Sequence, residues 1–108
     1  MKIDGSLDIK IIQGDSYRRE ITIEGIMPEL IEGVYFTSAD LQICKKCEFV
    51  NGIYILEFTP QETSDFKSIY SSYDITIKFT QNKVNTICYN ASLIVLPKEN
   101  KVGCYGKN

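Results

Sequence analysis

The chain predicts an all-β fold, an antiparallel β-sandwich with one short helix, and three observations carry that reading. Tyr54, Leu56 and Phe58 alternate with Ile55, Glu57 and Thr59, and Tyr73, Ile75, Ile77 and Phe79 alternate with Asp74, Thr76, Lys78 and Thr80. A period of two places apolar groups on one face and polar groups on the other, as in an antiparallel sheet covering a core on one side. Between the two runs, Thr59-Pro60-Gln61-Glu62 reads as a helix start. Turn signals recur along the rest of the chain at intervals of about 8–12 residues, enough for about seven or eight short strands. Half-buried strands of this kind need a second layer to cover them.

The elements follow in order. Residues 7–13 form the first strand, with Leu7, Ile9 and Ile11 on one face, and Gly14-Asp15 supplies turn chemistry. Residues 16–24 set Tyr17, Ile21 and Ile23 against Arg18, Glu20 and Thr22. Arg19 falls on the inward face there and reaches the sheet end with its stem buried. Residues 25–33 hold Pro28 and two glycines, a connection with room for one helical turn. Val34-Tyr35-Phe36-Thr37 is a short apolar strand, and Ser38-Ala39-Asp40 a turn before a further piece at 41–44. Asn51-Gly52 is a hairpin turn.

Thr59 is suited to the helix N-cap, Pro60 to the first helical position, and Glu62 to closing a capping box. The helix is expected near residues 60–68, docked by Phe66 and ended by Ser71-Ser72. Gln81-Asn82-Lys83 turns the chain into a strand at 84–89, and a last strand at 93–96 is stopped by Pro97. The expected organisation is one sandwich domain over residues 1–97 and a loose polar tail over 98–108. The expected core includes Ile21, Ile23, Tyr54, Leu56, Phe58, Ile75, Ile77 and Phe79, and Tyr17, Tyr35 and Tyr73 also sit at inward positions.

Composition excludes several classes of function. A net charge of −2 with no basic cluster leaves no footprint for nucleic acid, since Arg18-Arg19 and Lys45-Lys46 are isolated pairs. The amino terminus lacks the apolar region of a secretory signal, and no apolar run is long enough to cross a bilayer. A cytoplasmic site of synthesis and reduced cysteines are therefore expected. Histidine is absent, which removes Ser-His-Asp and Cys-His catalysis and histidine-ligated zinc. Carboxylate-only enzymes remain chemically open. None of the fourteen acidic residues stands in a catalytic motif, however, so neither enzymatic activity nor a cofactor is expected.

Cys44-Lys45-Lys46-Cys47 is the one motif able to carry chemistry. It can be half of a tetrathiolate zinc site completed by Cys88 and Cys104, or a redox dithiol. Cys88 and Cys104 are sixteen apart instead of forming a second knuckle, and no βαβ setting supports the redox reading. Cys44 and Cys88 fall in strands, where a reduced cysteine is a small core residue. Asn90-Ala91-Ser92 matches a glycosylation sequon, which has meaning only in a secreted eukaryotic protein. Of the seven tyrosines, Tyr70, Tyr89 and Tyr105 are the ones free to join an interface.

Several residue groups in order carry a resemblance. They are Gln13-Gly14-Asp15 before a charged strand, Val34-Tyr35-Phe36-Thr37, the Asn51-Gly52 turn, Phe58-Thr59-Pro60-Gln61-Glu62-Thr63, Tyr73-Asp74-Ile75, and a closing strand ending at Pro97. Over roughly this stretch the chain resembles a small immunoglobulin-like domain of phage structural proteins, similar to the amino-terminal domain of phage baseplate upper proteins and related small tail proteins. The resemblance implies a non-enzymatic tail or baseplate module, located in the virion or in the bacterial cytoplasm before assembly. Its partners would be copies of itself or other phage structural proteins. The alternative is a free-standing phage-encoded protein that binds and inhibits a host protein. The terminal strands carry apolar residues on both faces, so Ile12, Ile94 and Leu96, together with Tyr89, are the expected interaction residues. The chain's own tail is the competing cover for that face.

Overall fold

Strands form where the alternation places them; the first two are shorter than the sequence signals, and three later ones run further. The computed structural model describes residues 8–99. The strands are β1 (Ile9–Ile12), β2 (Tyr17–Ile21), β3 (Ile31–Ser38), β4 (Ile43–Lys46), β5 (Glu48–Val50), β6 (Ile53–Phe58), β7 (Ile69–Phe79) and β8 (Val84–Leu96). A 3-10 turn at Pro28–Leu30 precedes β3, and one helix, α1 (Pro60–Ser64), lies between β6 and β7.

The strands build two layers, a five-stranded sheet in the order β1-β8-β7-β3-β4 and a three-stranded sheet in the order β2-β6-β5. This is the immunoglobulin-like arrangement. β2, β6 and β5 correspond to strands B, E and D, and β8, β7, β3 and β4 to the G, F, C and C′ sheet. All pairings are antiparallel except β1 with β8, which is parallel, with Ile9 opposite Leu93 and Ile12 opposite Leu96.

The core lies between the layers. Ile9, Ile11, Leu93 and Val95 enter it from the terminal strands, Val34 and Phe36 from β3, Leu56 and Phe58 from β6, and Ile75 and Ile77 from β7. An aromatic chain crosses it. Phe36 stacks on Tyr73 at 5.3 Å between centroids, meets Phe58 edge-on at 5.5 Å, and Phe58 meets Phe66 edge-on at 5.2 Å. Phe36 stands on the strand that carries the buried tryptophan of antibody domains. Of the expected core, Ile21, Tyr54, Leu56, Phe58, Ile75 and Ile77 are buried, while Ile23 and Phe79 pack against its rim.

Five expectations are corrected. Helix α1 ends at Ser64, and Ser71-Ser72 do not terminate it; they lie inside β7, paired with Leu93 and Ser92. The strands expected at 84–89 and 93–96 are one strand, β8, because Asn90 takes a left-handed conformation (φ 54°) and absorbs an extra residue opposite Asp74 without ending the ladder. Asp74 holds that bulge by accepting the Asn90 amide at 2.7 Å. The piece at 41–44 is shifted to Ile43–Lys46, since Ser38 closes a turn by accepting the Leu41 amide. Tyr35 points outward, because Val34 and Phe36 take the inward positions of β3. Gly33 makes room for it: a Cβ there would stand 2.9 Å from the Tyr35 ring. Finally Cys44, expected in the core, is exposed on β4.

Arg19 does sit half-buried on the inward side of β2, and its guanidinium donates to the Asp8 carbonyl at 3.3 Å.

Candidate functional site

The expected interaction residues lie on the outer face of the five-stranded sheet, the face turned away from the three-stranded layer. Register fixes their neighbours. Ile12 lies opposite Leu96, Lys10 opposite Ile94, and Ile94 opposite Tyr70. Ile12, Ile94 and Leu96 are thus brought together, each half-buried, and Tyr70 completes the patch with its side chain 77% exposed. A shallow groove of about 340 Å³ runs along its margin between Ile12, Leu96 and the segment Pro97, Lys98 and Glu99. Lys98 forms an ion pair with Asp15 at 2.8 Å, which ties the start of the expected tail to the β1–β2 turn. The remainder of that tail, with Cys104 and Tyr105, lies outside the described residues, as does Leu7.

Tyr89 is not in this patch. The bulge at Asn90 carries it towards Ser72 and Asp74, about 13 Å further along β7 from Tyr70 at the usual rise per residue. There it borders a second groove, of about 510 Å³, between the β3–β4 turn and β8.

The cysteines are separated by environment. Cys47 is buried at the start of the crossover from β4 to β5, and burial pushes its thiol up to about 12. Cys88 is buried on β8, where it accepts a hydrogen bond from the Tyr73 hydroxyl; burial, the larger influence, holds its thiol above the ordinary value. Both sites thus favour the protonated thiol. Among the described residues, no three Cys, Asp or Glu side chains form a group able to hold a metal ion. No helix among them is long and apolar enough to cross a membrane.

Some exposed apolar residues escaped the sequence reading. Met27, Leu30, Phe49 and Val84 are all exposed. Phe49 packs on Tyr54 at 4.7 Å and, with Pro28 and Ile31, lines a recess of about 500 Å³. Met27 and Leu30 flank the 3-10 turn, a segment legible in sequence only as a connection.

No protein family matches the chain, and searches of curated proteins and of solved structures find no match either.

Proposed function

We propose that the chain is a non-enzymatic assembly module of a phage or prophage particle, of tail or baseplate type, acting through protein–protein contacts. The observation that supports this reading is the pairing of Tyr70 with Ile94 beside Ile12 and Leu96, an apolar patch on the outer sheet face. Tyrosine offers a large rigid contact area with a polar tip, a type enriched among residues that dominate interface energetics. The β1 edge lies beside the patch, and no strand among the described residues pairs with its outer side. A partner seated there would cover the patch and the edge together. The phage setting rests on the resemblance of the turn and cap motifs.

The test is sedimentation at micromolar concentration, alone and with candidate tail proteins, together with mass spectrometry of purified particles. Self-association or binding to a tail protein, with the chain present in particles, is the expected result. A strict monomer that binds no tail protein and is absent from particles overturns this reading in favour of a phage-encoded binder of a host protein.

A further inference from the structure

The groove bordered by Tyr89 has a composition unlike the patch around Tyr70. Its floor is the outer face of β3 and β7, where Thr37 lies opposite Asp74, with Ser72 two residues further along β7. One wall is the β3–β4 turn with Gln42, and the other is the β8 bulge with Tyr89 and Asn90. Both walls are fixed by the backbone. Gln42 and Asn90 take left-handed conformations at φ 56° and 54°, and the Gln42 amide donates to the Ala39 carbonyl at 3.1 Å. Asp40 of that turn accepts a hydrogen bond from Ser71, tying the turn to β7. Asp74 uses one carboxylate oxygen to hold the Asn90 amide at 2.7 Å.

We infer that this groove is a binding site for a neutral saccharide. The lining includes five hydroxyl-bearing residues, two side-chain amides and one carboxylate, and a sugar's hydroxyls can both donate to and accept from such groups. The Tyr89 side chain, 80% exposed, offers an aromatic surface on which the apolar face of a sugar ring can lie. No lysine or arginine lines the groove, so a phosphate or carboxylate ligand would find no counter-charge. The strands of the floor are interior to the sheet and already paired on both sides, so an extended peptide cannot recruit their backbone. Recognition must come from side chains. A volume of about 510 Å³ falls within the range of small-ligand sites. The site does not depend on the assembly reading, because it shares none of the residues of the Tyr70 patch.

The experiment is a titration of the ¹⁵N-labelled full chain with a panel of neutral mono- and disaccharides, including lactose, cellobiose and chitobiose, at up to about 10 mM, with glucuronate as the acidic comparison. At least one neutral sugar should shift the amides of Thr37, Asp74, Tyr89 and Asn90 together. Tyr89→Ala should weaken that binding about tenfold at an unchanged melting temperature, since the ring is exposed and supports no core. A second variant, Thr37→Val, should also weaken it. The inference is overturned if no neutral sugar moves these amides, if the shifts persist undiminished in Tyr89→Ala, or if glucuronate binds better than the neutral sugars.

Discussion

The Thr63 hydroxyl accepts the Gly14 amide at 3.0 Å and donates to the Asp15 carbonyl at 2.7 Å, across 48 residues or more of chain. Gly14 and Asp15 form the tight turn between β1 and β2, and Thr63 sits fully buried in α1. Gln13 adds a third link by donating to the Phe66 carbonyl at 2.6 Å. Two of the motifs that carry the phage resemblance, Gln13-Gly14-Asp15 and the stretch ending at Thr63, are therefore two halves of one clamp. It closes the end of the sandwich where the aromatic chain reaches Phe66.

Replacing Thr63 with Val keeps the volume and removes the hydroxyl, leaving a part-buried amide and carbonyl without their partner. The expected cost is about 1–3 kcal/mol, read as a lower urea midpoint at unchanged slope. A loss under about 0.5 kcal/mol would mean that water satisfies both groups and that the clamp is not what holds α1.

Both halves of the capping box are present: the Glu62 amide donates to the Thr59 hydroxyl at 3.1 Å, and the Thr59 amide to the Glu62 carboxylate at 2.8 Å. Thr59→Ala should cost about 0.5–2 kcal/mol. The box also predicts a pH dependence. A hydrogen bond from Lys45, and then one from the Thr59 amide, hold the Glu62 carboxyl below its usual range. Between that lowered value and the ordinary carboxylate value, the unfolded chain binds more protons than the folded one. The contribution is therefore complete above the ordinary value and is lost as pH falls through the lowered one. Melting temperature followed into the acid range should fall less steeply in Glu62→Gln, and an identical slope would show that the ion pair with Lys45 is without effect.

These local signals explain why so much of the fold is legible. Alternation marks β6 and β7, Asn51-Gly52 marks a hairpin whose two turn residues take φ of 49° and 85°, and the box marks the start of α1. Truncating Ile77, which is fully buried, should accordingly cost about 2–5 kcal/mol, and a loss below about 1 kcal/mol would mean the inward face is wrongly assigned. What stays hidden is non-local. Nothing in residues 9–12 says that they pair in parallel with residues 93–96. In Val34-Tyr35-Phe36 every residue is apolar, so no period tells which side faces in. Ser71-Ser72 look like a helix stop, yet continue a strand because β8 supplies a full ladder opposite them. The candidate surface is non-local too: Ile12 meets Leu96, and Ile94 joins them, only because β1 pairs with β8, and Tyr89 is turned outward by the β8 bulge that sets Tyr89 and Asn90 opposite Asp74.

Thiol chemistry should divide along burial. In a Cys104→Ala background at neutral pH, an aromatic disulfide reagent should modify exposed Cys44 rapidly and leave Cys47 and Cys88 unreacted until the chain unfolds. Rapid modification of all three would mean that the core opens readily. With the Cys47 thiol raised to about 12, the folded chain keeps a proton that the unfolded chain gives up. Stability should then decline as pH climbs above the ordinary thiol value and stop declining from this source near 12. Cys47→Ala should flatten that decline.

The patch of Tyr70, Ile94, Ile12 and Leu96 makes the sharpest prediction about assembly, because its members differ in what they do for the fold. Leu93 and Val95, their neighbours on β8, are fully buried, and replacing either would damage the core. Tyr70 and Ile94 alternate with core residues on β7 and β8 and turn their side chains to the opposite face. Tyr70→Ala with Ile94→Lys should therefore leave the sandwich folded, at a cost within about 1 kcal/mol for this part-exposed pair. A lysine at Ile94 would lie opposite Lys10 across the parallel β1–β8 pair, adding a like charge where an apolar partner surface would have to sit. If the patch is an interface, the double variant should sediment as a monomer and fail to enter particles while melting near the unsubstituted chain. The control is a matched pair of exposed residues towards the opposite end of the sheet, Leu30→Lys with Val84→Lys. Loss of assembly in the control, with the Tyr70 and Ile94 variant unaffected, would move the interface to that end of the molecule.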